Sequence, residues 1–108
     1  WGESLTQTYS IKLTGTLTST TRITGMRKLS GRNLKLAWKR MSGVSGYEVF
    51  RSTSKYGTYR KAATVSGIVY VNRNLTRNRT YYYKIRAFKK IGGKKYYAPS
   101  SAAKGIRM

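Results

Sequence analysis

The sequence predicts an all-β fold, a two-sheet antiparallel β-sandwich. Three observations predict it. Apolar residues recur with a period of two along successive short runs, as they do on strands with one face buried. No window of about a dozen residues keeps apolar positions at i, i+3, i+4 and i+7, so amphipathic helices are not expected. Gly- and Ser-rich turns interrupt the runs roughly every 8 to 12 residues, a spacing that leaves no room for the crossover helices of a parallel sheet. The 108 residues suffice to close one hydrophobic core without metals or cross-links.

Each element follows from its own alternation. NLKLAWKR sets Leu34, Leu36 and Trp38 on one side against Lys35, Ala37 and Lys39 on the other. After a Gly-Ser-rich turn at residues 42–46, GYEVFRS turns Tyr47 and Val49 inward and Glu48 and Phe50 outward. Gly57 marks a turn before YRKAATV, and a further glycine opens GIVYVN. In TYYYKIRAF the three consecutive tyrosines divide between the faces. Tyr81, Tyr83, Ile85 and Ala87 share one, and Tyr82, Lys84, Arg86 and Phe88 share the other. The run KKIGGKKYY then places Gly92-Gly93 between paired lysines, which predicts a hairpin whose glycines take positive φ without a Cβ penalty. Ala98 to Met108 is expected to form the last strand, with Pro99 at its edge or start, where a missing N–H is tolerated.

Residues 1–21 differ from the rest. They are Thr-rich, and Tyr9, Ile11, Leu13 and Leu17 alternate with polar residues, which predicts one extra strand. Such a strand pairs with the domain's own edge, ends a preceding domain, or completes the sheet of a neighbouring subunit by strand addition.

From about Thr21 to Met108 the chain resembles a fibronectin type III domain of the kind found in surface and secreted proteins of Gram-positive bacteria. The likeness is carried by Trp38 on the second strand, Tyr47 opening the third, and Leu75 and Tyr81 framing the turn before the sixth. The resemblance implies about seven strands in residues 22–108, with residues 1–21 as an N-terminal extension or linker strand. It also implies a core of Leu36, Trp38, Tyr47, Val49, Val71, Leu75, Tyr81, Tyr83, Ile85 and Ala87. Tyr81 becomes a tyrosine corner, its hydroxyl bonded back to nearby backbone. An extracellular or cell-surface location and a non-catalytic role in adhesion or spacing follow from the same resemblance. Two features depart from the family. KKIGGKK lacks the Arg-Gly-Asp tripeptide of integrin-binding members, and neutral Asn72 and Asn74 stand where an acid is common.

Charge points to a partner class. Twenty-three Lys and Arg face two acids, Glu3 and Glu48, for a net charge of +21. A surface this far from neutrality attracts polyanions such as nucleic acids, sulfated glycans, teichoic acids and anionic lipids. The predicted contact surface comprises Lys84, Arg86, Lys89, Lys90, Lys94 and Lys95, with Tyr82 and Phe50 as aromatic platforms beside them. The competing reading makes Tyr82, Phe50 and Phe88 cross-strand pairs that stabilise an exposed sheet, with Glu48 opposite a cation. An RNA-recognition sheet needs glycines between its aromatics and two helices behind it. Neither appears, so a cell-wall or sulfated glycan is the expected partner ahead of nucleic acid.

The inventory excludes most catalysis. The chain has no His and no Cys, and Asp is missing as well. No Ser-His-Asp triad, carboxylate pair, thiol chemistry or oxygen-rich metal cage can be assembled. No catalytic residue, metal site or cofactor is expected. No run approaches the roughly 20 apolar residues of a membrane span. The chain opens at Trp1 with neither an initiator Met nor a signal-peptide pattern, so it is expected to be a piece of a longer protein.

Overall fold

A computed structural model describes residues 20–108; the strand expected between Tyr9 and Leu17 lies outside the described residues. Within them the chain forms β1 (Ile23–Leu29), β2 (Asn33–Trp38), β3 (Gly46–Ser52), β4 (Arg60–Val65), β5 (Val69–Asn72), β6 (Thr80–Ile91), β7 (Lys94–Tyr97) and β8 (Lys104–Arg107). They make two antiparallel sheets. One is three-stranded in the order β1-β2-β5, and the other runs β4-β3-β6-β7 with β8 also paired to β6.

The twelve-residue β6 organises the larger sheet. Along one edge it pairs with β3 from Phe88 to Tyr82. Along the other, Phe88 to Ile91 pair with β7 and Thr80 to Tyr83 pair with β8. The last strand, expected over 98–108, is shorter than that: the hairpin return ends at Tyr97, and regular pairing resumes only at Lys104. Pro99 sits in the gap, where it has no N–H to give to the ladder. The chain nevertheless stays on β6, because the N–H of Ala98 donates to Ala87 O at 2.9 Å and that of Ser101 to Ile85 O at 2.8 Å. The Ser101 hydroxyl accepts from the Ile85 N–H at 2.9 Å.

The core lies between the sheets and holds Leu34, Leu36, Trp38, Tyr47, Val49, Leu75, Tyr81, Tyr83, Ile85 and Ala87, with Ile23 and Ala98. Trp38 meets Tyr47 edge-on at 5.8 Å between ring centroids. The tyrosine corner forms as the resemblance implies, with the Tyr81 hydroxyl accepting from the Thr76 N–H at 2.9 Å.

Val71 is the core residue that the sequence misplaces. It pairs with Lys35, while Tyr70 pairs with Leu36 and Asn72 with Leu34. Since side chains alternate across a strand, Val71 faces outward with Lys35 and is only half-buried, and Asn72 faces the interior. Buried Asn72 uses its Oδ1 to accept from the Tyr83 hydroxyl at 2.6 Å and from Arg51 Nη1 at 3.2 Å. The neutral residue that departs from the family pattern thus closes a polar network at one end of the core. Burial pushes the Tyr83 hydroxyl well above its ordinary pKa, despite the nearby Arg51 charge.

Candidate functional site

The outer face of the larger sheet carries most of the predicted contact residues. Glu48 pairs with Arg86 across β3 and β6, and Phe50 pairs with Lys84. The two lie on the face opposite Tyr47 and Val49, as the alternation requires. Glu48 is nevertheless only 1% exposed, because long cations close over it. Arg86 Nη2 donates to Oε1 at 2.6 Å, while Lys95 and Lys61 approach Oε2 at 3.5 and 3.7 Å. Burial alone raises the Glu48 pKa, but the bond and charge of Arg86, with help from Lys61 and Lys95, outweigh it and hold the carboxyl below its ordinary 4.5.

Arg86 and Lys95, together with Lys84, are also stacked on rings. The Arg86 guanidinium lies 5.0 Å from the Phe50 centroid and 3.7 Å from that of Tyr97. Lys95 Nζ stands 4.4 Å over Phe88, and Lys84 Nζ stands 4.5 Å over Tyr59. Phe88, expected on the exposed face, is buried there at 6% exposure. Its ring lies against Gly46, where an added Cβ would meet Phe88 Cζ at 3.0 Å and Val65 O at 2.8 Å. Only glycine lets β3 pass under this ring. Tyr82 likewise lies flat on Gly105 of β8, and a Cβ at that position would overlap its ring. Glu48 thus lies opposite a cation, and Phe50, Tyr82 and Phe88 lie across from Lys84, Gly105 and Gly46 of neighbouring strands.

The hairpin between β6 and β7 places the remaining lysines. Gly92 and Gly93 take φ of 59° and 79°, the left-handed pair that a two-residue hairpin loop of the primed type requires. Lys90 pairs with Lys95 and Ile91 with Lys94. Lys95 turns onto the sheet face toward Glu48, and Lys89 Nζ donates to Gly43 O at 3.0 Å. Lys90 and Lys94 point into solvent at the tip. Of the eight predicted residues, Phe50, Tyr82, Lys84, Arg86 and Lys95 share one face. Lys90 and Lys94 extend from its end, and Lys89 turns to the loop before β3.

Sequence reasoning missed a second cationic surface at the opposite end of the sandwich. There Arg32 in the β1–β2 turn and Arg73, Arg77 and Arg79 in the loop before β6 are all exposed. The signal was present in RNLTRNR, which holds three arginines in seven residues. Arginines scattered through a turn show no two-residue alternation, so a reading based on strand faces passes over them.

Among the described residues no group of His, Cys, Asp and Glu could hold a metal ion, and no helix is long and apolar enough to cross a membrane.

No family model matches the chain. A 58-residue segment is 34% identical to part of an amylopullulanase of Thermoanaerobacterium saccharolyticum, a match that covers 53% of this chain and 4% of the enzyme. Among solved structures, a Fn3-like protein from Clostridium thermocellum superposes with a TM-score of 0.63 at 27% identity, over 79% of this chain and 88% of that one. The sixth fibronectin type III domain of the human fibronectin type III domain containing protein 3 gives 0.69 at 16% identity, over 83% and 84%. The arrangement of sheets, the core Trp38 and the tyrosine corner at Tyr81 agree with these likenesses. The chain has the fibronectin type III fold, and it resembles the bacterial form of that domain.

Proposed function

We propose that this chain is a non-catalytic module of a bacterial extracellular or cell-surface protein, and that its basic surface contacts an anionic cell-wall or sulfated glycan. The observation that carries the reading is the fate of the single acidic side chain among residues 20–108. Glu48 is buried beneath Arg86, Lys61 and Lys95, so the solvent-facing cations of the described residues have no acid to neutralise them. Lys90 and Lys94 at the hairpin tip are the predicted residues best placed to meet a polymer. Release of counterions from the polymer then supplies the affinity. On a heparin or teichoic-acid matrix the protein is expected to be retained at low salt and released steeply as salt rises. Retention no greater than that of a neutral sandwich domain at low salt overturns the reading.

A second reading, a spacer within a larger secreted protein, is favoured by the match to a small part of a long enzyme. It predicts no polymer affinity beyond that of net charge. Retention that is unchanged when Lys90 and Lys94 are neutralised would favour it.

A further inference from the structure

The strands alternate in direction, so the β1–β2 turn, the loop 73–79 and the C-terminus meet at the end of the sandwich away from the hairpin. Backbone bonds fix their arrangement. Leu75, 1% exposed, anchors the loop in the core. Its N–H donates to Arg32 O at 2.9 Å, and the N–H of Met108 donates to Arg79 O at 2.9 Å. The Asn74 N–H donates to Asn33 Oδ1 at 3.3 Å. Asn74 and Asn78 hold φ of 60° and 62°, a left-handed conformation that Asn tolerates better than most residues.

Arg32 also sits in that region, at φ 62°, where a side chain of its kind costs about 1 kcal/mol or more. Folding alone would favour Gly or Asn there. Lys28, Arg32 and Arg77 line one cleft of about 310 Å³ together with Ser30, Asn78 and Met108. Among the described residues neither these three cations nor Arg73 and Arg79 form an ion pair, and the one acidic side chain is engaged on the sheet face. Like charges gathered on a fixed frame raise the energy of the folded chain unless an anion joins them.

We propose that this cleft is a binding site for a tetrahedral oxyanion ester, phosphate or sulfate, carried on a polymer. Two guanidinium forks can each present paired N–H donors to such a group. The Lys28 ammonium, the Ser30 hydroxyl and the Asn78 amide supply further donors. The tied loops reduce the ordering cost that flexible cations incur on binding. The inference deepens the polyanion reading, on which the polymeric nature of the ligand rests, but the site is separate from the hairpin lysines.

The test is an NMR titration of the full chain at physiological salt, with inorganic tripolyphosphate in one arm and a trisulfated disaccharide in the other. Saturable shifts are expected at the amides of Ser30, Gly31, Arg32 and Asn78, with Gly92 and Gly93 unmoved. Tighter binding in one arm identifies the ester. The double variant Arg32→Gln/Arg77→Gln is expected to weaken binding about tenfold, as the loss of charge-assisted forks implies. Arg77→Gln alone gives a smaller loss in the same direction and leaves the strained position untouched. Lys90→Gln/Lys94→Gln should change it less than twofold. Unsaturable shifts spread over all cationic surfaces, or wild-type affinity in the arginine variants, overturn the site. Failure of the polymer reading looks different: matrix retention disappears while the tripolyphosphate shifts persist.

Discussion

The outer face of the larger sheet and the arginine-bearing end of the sandwich are both cationic, yet they are built on opposite terms. On the sheet face, Arg86, Lys95 and Lys61 converge on one buried carboxylate, and Arg86, Lys95 and Lys84 are stacked on aromatic rings. At the other end Arg32, Arg73, Arg77 and Arg79 stand exposed, and among the described residues none of them forms an ion pair. The first set is packing material, cations held by one shared carboxylate and by ring faces. The second is charge without an internal counterpart. A count of cations does not separate the two, but the location of Glu48 does.

The contrast breaks most visibly at Glu48. Replacing it by Gln leaves three cations facing each other without an anion and should lower stability by roughly 2–3 kcal/mol. The figure lies below that of a fully buried broken pair because Arg86 and Lys95 keep some contact with water. Urea unfolding at neutral pH checks it. The same carboxylate sets a pH dependence. Its folded-state pKa lies below the ordinary 4.5, so its contribution is complete above that value and is lost as pH falls through the folded-state pKa. Wild-type stability should therefore drop below about pH 4.5, and Glu48→Gln should flatten that part of the curve.

Tyr81→Phe removes the hydroxyl that the Thr76 N–H reaches, at a cost of about 1–2 kcal/mol by thermal or denaturant unfolding. It also loosens the mounting of Arg77 and Arg79, and tripolyphosphate affinity should fall with it. A smaller effect of opposite sign is expected on the three-stranded sheet, where Arg27 and Lys35 face each other directly across β1 and β2. Lys35→Glu should stabilise the fold by about 0.5–1 kcal/mol. At the hairpin tip, Lys90→Gln/Lys94→Gln should change stability by less than about 0.5 kcal/mol.

The fold was legible because period-two patterning and turn chemistry agree along most of the chain. Leu34, Leu36 and Trp38 point inward as their alternation requires, and Gly92-Gly93 forms the hairpin. Patterning failed where another force chose the face. In VYVN the apolar Val71 suggests an inward position, but pairing with β2 turns Asn72 inward, where Tyr83 and Arg51 satisfy it. The strand β1 carries little signal of its own, since ITGMRKL alternates poorly across the irregularity between Ile23 and Gly25. The late start of the last strand follows from Pro99 and from the bond of the Ser101 hydroxyl to β6, a tertiary bond that no local pattern encodes. Of the candidate site, the residues sharing the outer face could be named from alternation. Their engagement could not, because it depends on Lys95 and Lys61 arriving from two different strands over one acid.

In the proposed function, cations with an internal partner hold the fold, while those without one meet the polymer. The slope of log affinity for heparin against log salt concentration separates the two roles. Each charge that contacts the polymer should contribute about one unit to that slope. Lys90→Gln/Lys94→Gln is predicted to reduce the slope by roughly two with stability unchanged, and Arg86→Gln to lower stability while leaving the slope as it is. A folded Arg86→Gln variant that loses as much slope per charge as the hairpin pair would show that the sheet-face cations meet the polymer as well.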